Sequence, residues 1–267
     1  MKQTHDELRE TVRRKYADIA RSSSDSCCST SSCCGEESEG YSMIGEAYDG
    51  VEGYVQDADL KLGCGVPVEH AGMAPGQTVL DLGSGAGLDA FVSRRQVGES
   101  GHVIGVDMTA EMISKARENV ENMGYENVEF RLGEIEHLPV VNDSVDVVIS
   151  NCVLNLVPDK NQAFAEIYRV LKPGGHFCIS DIVSSKQLPE WASGIAAAYA
   201  GCVSGAIPYS DYLQIIRETG FRDLEIASER RVELPEALMD EWLTPEQLSE
   251  AAASDIHVMS VTIKATK

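Results

Sequence analysis

The sequence predicts an α/β fold built on a doubly wound, mostly parallel Rossmann-like sheet, and three observations carry that reading. From Gln77 onward, short β-branched runs alternate with stretches of helical length. A glycine-rich turn, Asp81-Leu82-Gly83-Ser84-Gly85-Ala86-Gly87, follows the first of those runs and opens the first helix of the alternation. Two strand-like runs then close the chain, which places an antiparallel last strand on an otherwise parallel sheet.

The elements follow in order. A helix is expected over residues 4–21, and its basic run Arg13, Arg14, Lys15 beside apolar Val12, Tyr16 and Ile19 reads as the solvated face of an amphipathic helix. The Ser-, Cys-, Glu- and Gly-rich stretch that follows, to about Gly40, has too few large apolar side chains to pack and is expected to be a mobile arm. Glycines and short apolar clusters between Tyr41 and Gly72, with Cys64 among them, suggest short helices leading into the main sheet. Strands are expected at 78–82, 103–107, 128–132, 145–150 and 176–183, with helices through Ala90 and Val92, at 110–123 and at 160–171. After an Ala- and Gly-rich passage through Cys202, a helix is expected over 210–218, with Ser210 as N-cap and Gly220 as its stop. Strands over 224–234 and 256–265 end the chain. The organisation read from this is an N-terminal helix and Ser/Cys-rich arm (1–40), a nucleotide-binding Rossmann-like unit (41–185), and a C-terminal appendage of helices and a closing hairpin (186–267).

A formal net charge of −21 makes the protein repel phosphate backbones and anionic membrane surfaces, so neither nucleic acid nor a membrane is an expected partner. No stretch has the roughly 18 consecutive apolar residues of a membrane span, and the charged N-terminus does not resemble a secretory signal, so a cytoplasmic location is expected. Eight cysteines in that reducing compartment point to metalloid, metal or redox chemistry before a disulfide framework. The six histidines are scattered without metal-ligand spacing, and none is assigned a catalytic role.

Glycine between a strand and a helix lets the backbone turn sharply and approach a ligand. Asp107, ending the next strand, stands where a carboxylate can accept both hydroxyls of a ribose. An NAD pyrophosphate would be repelled by Asp81, whereas that carboxylate suits the ammonium group of S-adenosylmethionine.

The motifs "VLDLGSGAG", "VIGVDMT", "LPVVNDSVDVVISN" and "LKPGGHFCISD" resemble those of class I methyltransferases over roughly residues 70–185. The resemblance implies S-adenosylmethionine as cofactor. It implies that Gly83, Ser84, Gly85 and Gly87 run along it, that Asp107 holds the ribose, and that Met108 packs on the adenine. Gly133, Glu134 and Ile135 match the adenine-edge segment, and Asn151 matches a contact to the methionine portion. Met108 as core and Glu134 as a turn cap remain the alternatives at those positions.

Open α/β sheets bind ligands beyond the carboxyl ends of their strands, so Cys152, directly after the fourth strand, should face the methyl group to be transferred. Cys178, between Phe177 and Ile179 inside a strand, reads as packing. Cys64 and Cys202 are bordered by small residues that leave their thiols open to a ligand. Here "LGCG", "SNCVLNLVP" and "AGCVSGA" resemble the arsenite methyltransferases, in matching order from about Tyr41 onward. That resemblance implies As(III) held by Cys64, Cys152 and Cys202, with Cys34 as a fourth family cysteine. It implies arsenite and methylarsenite as substrates and a thiol reductant of the thioredoxin or glutathione type. A soft trivalent centre exchanges hydroxide for thiolate, and its lone pair needs no general base to attack a methyl sulfonium. The vicinal pairs Cys27, Cys28 and Cys33, Cys34 suit capture of arsenic or disulfide exchange better than zinc, whose sites favour C-x-x-C spacing. The cysteine-rich extension of longer family members is not seen after the final strand, which leaves the extent of methylation open. Competing readings are a quinone- or sterol-type methyltransferase on the same sheet and a non-catalytic thiol-rich As(III)-binding protein.

Overall fold

The computed structural model describes residues 4–22, 48, 50–192, 205–233, 239 and 243–267. Its seven strands form one sheet in the order β3-β2-β1-β4-β5-β7-β6. They are β1 (Thr78–Leu82), β2 (His102–Asp107), β3 (Val128–Leu132), β4 (Val145–Asn151), β5 (Leu171–Ser184), β6 (Arg222–Val232) and β7 (Val258–Thr266). The first five pair in parallel, while β7 lies antiparallel between β5 and β6. Crossovers run outward in both directions from the central β1/β4 pair, so the chain diverges there and opens a crevice at the carboxyl ends of those strands.

Helices cover both faces: α1 (His5–Ser22), α2 (Pro67–His70), α3 (Leu88–Val97), α4 (Ala110–Met123), α5 (Lys160–Val170), α6 (Tyr209–Thr219) and α7 (Pro245–Ser254). Because successive strand side chains point to opposite faces, Leu80 and Leu82 join a core with Phe164, Phe177 and Tyr212, while Val79 joins the other with Phe91, Val103 and Ile149. Burial on both faces explains why the central strands read as nearly continuous apolar runs.

Most expected elements stand within a residue or two of their predicted ends, and the differences have local causes. Helix α6 is capped by Pro208, with no side-chain cap, and Ser210 instead donates to Asp211 Oδ1 at 3.1 Å. It does stop at Gly220, whose φ of 108° is the left-handed conformation that ends a helix. Strand β5 starts directly after α5, five residues earlier than its apolar run, because Lys172-Pro173-Gly174-Gly175 pass a register shift opposite Val145 and Val147. Helix α7 was absent from the sequence reading. Its start is a capping box in which Thr244 and Gln247 each accept from the other's backbone N–H, followed by Pro245. The arm read as mobile, with Cys27, Cys28, Cys33 and Cys34, lies outside the described residues, and so does Cys202.

Candidate active site

A cavity of about 680 Å³ opens at the divergence point between β1 and β4. Its walls include Asp81, Gly83, Ser84, Gly85, Asp107, Met108, Gly133, Glu134, Ile135, Asn151 and Cys152, all expected from the sequence. Gly87 is not among them. A Cβ there would meet the Phe130 and Phe91 rings at 2.7 and 2.9 Å, and its φ is 101°, so this glycine serves the turn into α3 and its packing. Gly85 has φ 51° with nothing within 4 Å of where a Cβ would stand, so here bare backbone faces the cavity.

Asp107 is pre-set by its neighbours: Oδ2 accepts from the Gly85 N–H at 3.0 Å and Oδ1 from the Thr109 N–H at 2.8 Å. Each oxygen keeps acceptor capacity toward the cavity. Asp81 is fully enclosed, and its Oδ2 has no hydrogen-bond partner. Burial first, then the charges of Asp89 and Asp107, push its carboxyl well above the usual range. An enclosed acidic cluster with an orphaned oxygen is what a cationic ligand would relieve.

Asp89, in the first turn of α3, was not foreseen. Burial raises it to about 6, against hydrogen bonds from Tyr48 and Asn151 that hold it down. Tyr48 Oη donates to Asp89 Oδ1 and accepts from Asn151 Nδ2 at 2.8 Å. Helix α1 was also missed as part of the site: Arg9, Val12 and Tyr16 line the cavity, and Arg13 reaches Glu134 at 3.3 Å. The basic run is thus partly a docking face.

Cys152 directly follows β4 in the left-handed conformation, φ 60°, with its N–H donated to Ser180 O at 2.8 Å. That conformation costs a side-chain-bearing residue about 1–2 kcal/mol, and it swings the chain from strand into the turn Leu154–Leu156. Cys64 is fully buried in the same apolar cluster as Cys152, with Leu156, Ile182 and Met108 packed around them. Burial first, then the Asp181 carboxylate, raise the Tyr212 hydroxyl well above its ordinary range, and Cys64 and Cys152 lie near enough to add to that. The glycines beside Cys64 were read as leaving room for a ligand, but they dock the loop instead. A Cβ on Gly63 would meet Asn151 Nδ2 at 2.6 Å, and one on Gly65 would meet Ser180 Oγ at 2.7 Å. Cys178 lies in the core as expected, donating to Pro67 O at 3.3 Å, with burial pushing its thiol up to about 12.

Beneath the thiols is a buried polar group that the sequence reading did not single out. Asp181 accepts from Tyr212 Oη at 3.0 Å and from the Ile182 N–H at 2.9 Å, and burial raises it to about 7. Lys160 donates to Asn155 O and Val157 O, and burial lowers it to about 8. Among the described residues no three His, Cys, Asp or Glu side chains form a metal-binding group. No helix among them is long and apolar enough to cross a membrane.

A methyltransferase domain model matches residues 74–228. An arsenite methyltransferase from Halobacterium salinarum is 48% identical over 98% of this chain and 67% of its own length. The chain belongs to the arsenite methyltransferase family. A second such enzyme, from Aquipseudomonas alcaligenes, is 34% identical over 88% of this chain and 68% of its own. Among solved structures, an arsenic(III) S-adenosylmethionine methyltransferase from Chlamydomonas reinhardtii superposes with a TM-score of 0.65 at 34% identity, covering 77% of this chain and 67% of that one. The chain therefore spans about two thirds of the length of these arsenite methyltransferases. S-adenosylmethionine is the methyl donor of the family, and the cavity fits it: an orphaned Asp81 oxygen for a cation, open backbone at Gly85, and a pre-set Asp107.

Proposed function

We propose that this chain methylates trivalent arsenic, arsenite and methylarsenite, in an arsenic-detoxifying reaction at Cys64, Cys152 and Cys202. The observation that carries the reading is Cys152, held in a strained backbone conformation on the wall of the cofactor cavity and clustered with Cys64. A side chain kept at a position where glycine would relieve strain points to a need for that side chain.

In this reading the acidic Asp81 faces the ammonium group, Asp107 the ribose, and Met108 with the Gly133, Glu134 and Ile135 segment the adenine. When bound, the cofactor would supply an electrophilic methyl on sulfonium, whose S–C bond breaks as the As–C bond forms and whose sulfur departs as the neutral thioether. The protein's part is orientation. Thiolates displace hydroxide from the arsenical, and the rigid β4 end holds the arsenic lone pair toward the cavity, where proximity accounts for much of the rate. The apolar surroundings of the two buried thiols exclude water. No general base is needed, which agrees with the absence of His, Asp and Glu from "SNCVLNLV". Methylation leaves arsenic formally pentavalent. Two thiols passing to a disulfide return it to the trivalent state, and Cys34 with an external thioredoxin- or glutathione-type reductant fills that role in the cytoplasm.

The test incubates the pure protein with arsenite, S-adenosylmethionine and a thiol, then separates the arsenic species. Methylated arsenic is expected from the parent and none from Cys152→Ser or Cys202→Ser. Parent-rate methylation by both variants would reject the three-thiolate site.

A further inference from the structure

Asn151 stands on the cavity wall, and both ends of its carboxamide are also hydrogen-bonded to protein groups. Oδ1 accepts from the Cys64 N–H at 2.9 Å and the Gly65 N–H at 3.3 Å. Nδ2 donates its two hydrogens to Gly65 O and Tyr48 Oη, each at 2.8 Å, with Asp89 Oδ2 sharing one of them at 3.3 Å. We propose that Asn151 is a positioning residue that fixes the Cys64 thiol relative to Cys152 and thereby sets the preference for arsenite over methylarsenite. The inference rests on the three-thiolate reading above.

Three features support it. Asn151 immediately precedes Cys152, whose own backbone is locked to Ser180, so a side chain anchored at one thiol's neighbour grips the backbone of the other across 87 residues of sequence. The contact is closely fitted, since Gly63 leaves no space for a Cβ beside the amide. Its orientation is dictated: two N–H groups face Oδ1, while the Gly65 carbonyl and the Asp89 carboxylate are acceptors that require Nδ2 on the other side. Ser260 Oγ on β7 holds the Cys64 carbonyl at 2.7 Å, so the Asn151 grip acts on a loop already tethered at one end.

The consequence concerns substrate choice. Arsenite has three exchangeable positions and engages three thiols, whereas methylarsenite has two and can be held by Cys152 and Cys202. Displacing only Cys64 should therefore harm the first substrate more than the second. General loss of structure would harm both alike.

The experiment compares full-length parent, Cys64→Ser, Asn151→Asp and Gly63→Ala. An aspartate keeps the acceptor side but turns an oxygen toward the Gly65 carbonyl and Asp89. The alanine presses on the amide, nearest its nitrogen, without changing its chemistry. We expect the ratio of kcat/KM for arsenite to that for methylarsenite to fall by about tenfold or more in both variants, in the direction of Cys64→Ser. Calorimetry measures S-adenosylmethionine binding by Gly63→Ala separately, because Gly63 and Asn151 both stand on the cavity wall. A parent-like ratio in Asn151→Asp and Gly63→Ala would overturn the inference, as would equal loss of both substrates in a Gly63→Ala protein that still binds the cofactor. A parent-like ratio in Cys64→Ser would instead remove the three-thiolate reading on which it rests.

Discussion

Arg9 on the first helix donates to Glu136 across 127 residues of sequence, Nη2 to Oε1 at 2.9 Å and Nε to Oε2 at 3.4 Å. The Glu136 side chain is only 5% exposed, and its other protein donor is the Asp159 N–H at 3.3 Å. This pair fastens α1 over the side of the cavity formed by Glu134, Ile135 and Glu136, where Val12 and Tyr16 complete the wall.

Arg9→Ala would leave a buried carboxylate short of donors, at a cost of about 1–3 kcal/mol. Urea unfolding should show that loss, and the Kd for S-adenosylmethionine should rise because α1 docks less firmly. Adding Glu136→Gln to Arg9→Ala should recover part of the stability, since the neutral amide does not need a cation. Strictly additive losses in the double variant would show that the ion pair does not hold the helix.

Acid should weaken cofactor binding. Asp89 titrates at about 6 and Asp81 is raised as well, and a bound cation favours their ionised forms. Below pH 6 a proton must leave before the cation is accommodated, so affinity should fall by up to about tenfold per pH unit for one such proton. Tyr48→Phe removes a hydrogen bond that holds Asp89 down, so the weakening should begin at higher pH. Calorimetric Kd values from pH 5 to 8 in two buffers would measure both affinity and proton release. A pH-independent Kd in parent and variant would reject this electrostatic account.

The sheet and cofactor turn were legible because strands buried on both faces, glycine between strand and helix, and Asp107 at a strand end leave local signals. Cys152 was legible for the same reason, since its place after β4 follows from strand order. The partners of Asn151 were not, because Tyr48 and the Cys64 loop reach it from 103 and 87 residues away. Gly63 and Gly65 carried a true signal of close approach, but sequence alone does not say whether a ligand or a side chain approaches. Helix α1 was read correctly as amphipathic, while the groove its apolar face covers depends on tertiary packing. For α7, Thr244, Pro245 and Gln247 form a local start signal in the sequence.

Cys178 should be dispensable for chemistry. With its thiol pushed up to about 12, the reactive thiolate at pH 8 is about one part in ten thousand. Cys178→Ala removes a hydrogen bond to Pro67 O and a little packing, and should cost about 1 kcal/mol. Arsenite methylation at parental rate with a slightly lowered urea midpoint is the expected result. A loss of activity without a loss of stability would place this thiol in the reaction.

Asp181 should make the fold less stable toward neutral pH. Its folded value is about 7 against an ordinary 3.8, raised chiefly by burial and opposed by the Lys160 charge. Between those values the folded state keeps a proton that the unfolded state has lost, so stability falls as pH rises and the loss is complete above 7. Lys160 works in the other direction at higher pH: its folded value of about 8 lies below 10.5, so stability rises across that window. Asp181→Asn keeps an oxygen for the Tyr212 hydroxyl but cannot titrate. Its stability relative to parent should therefore improve from pH 5 to pH 7.5 in urea unfolding, whatever the two proteins' stabilities at pH 5. The comparison cancels carboxylates common to both. Curves that stay parallel over that range would mean that the Lys160 charge and the hydrogen bonds offset burial fully, leaving Asp181 ionised throughout.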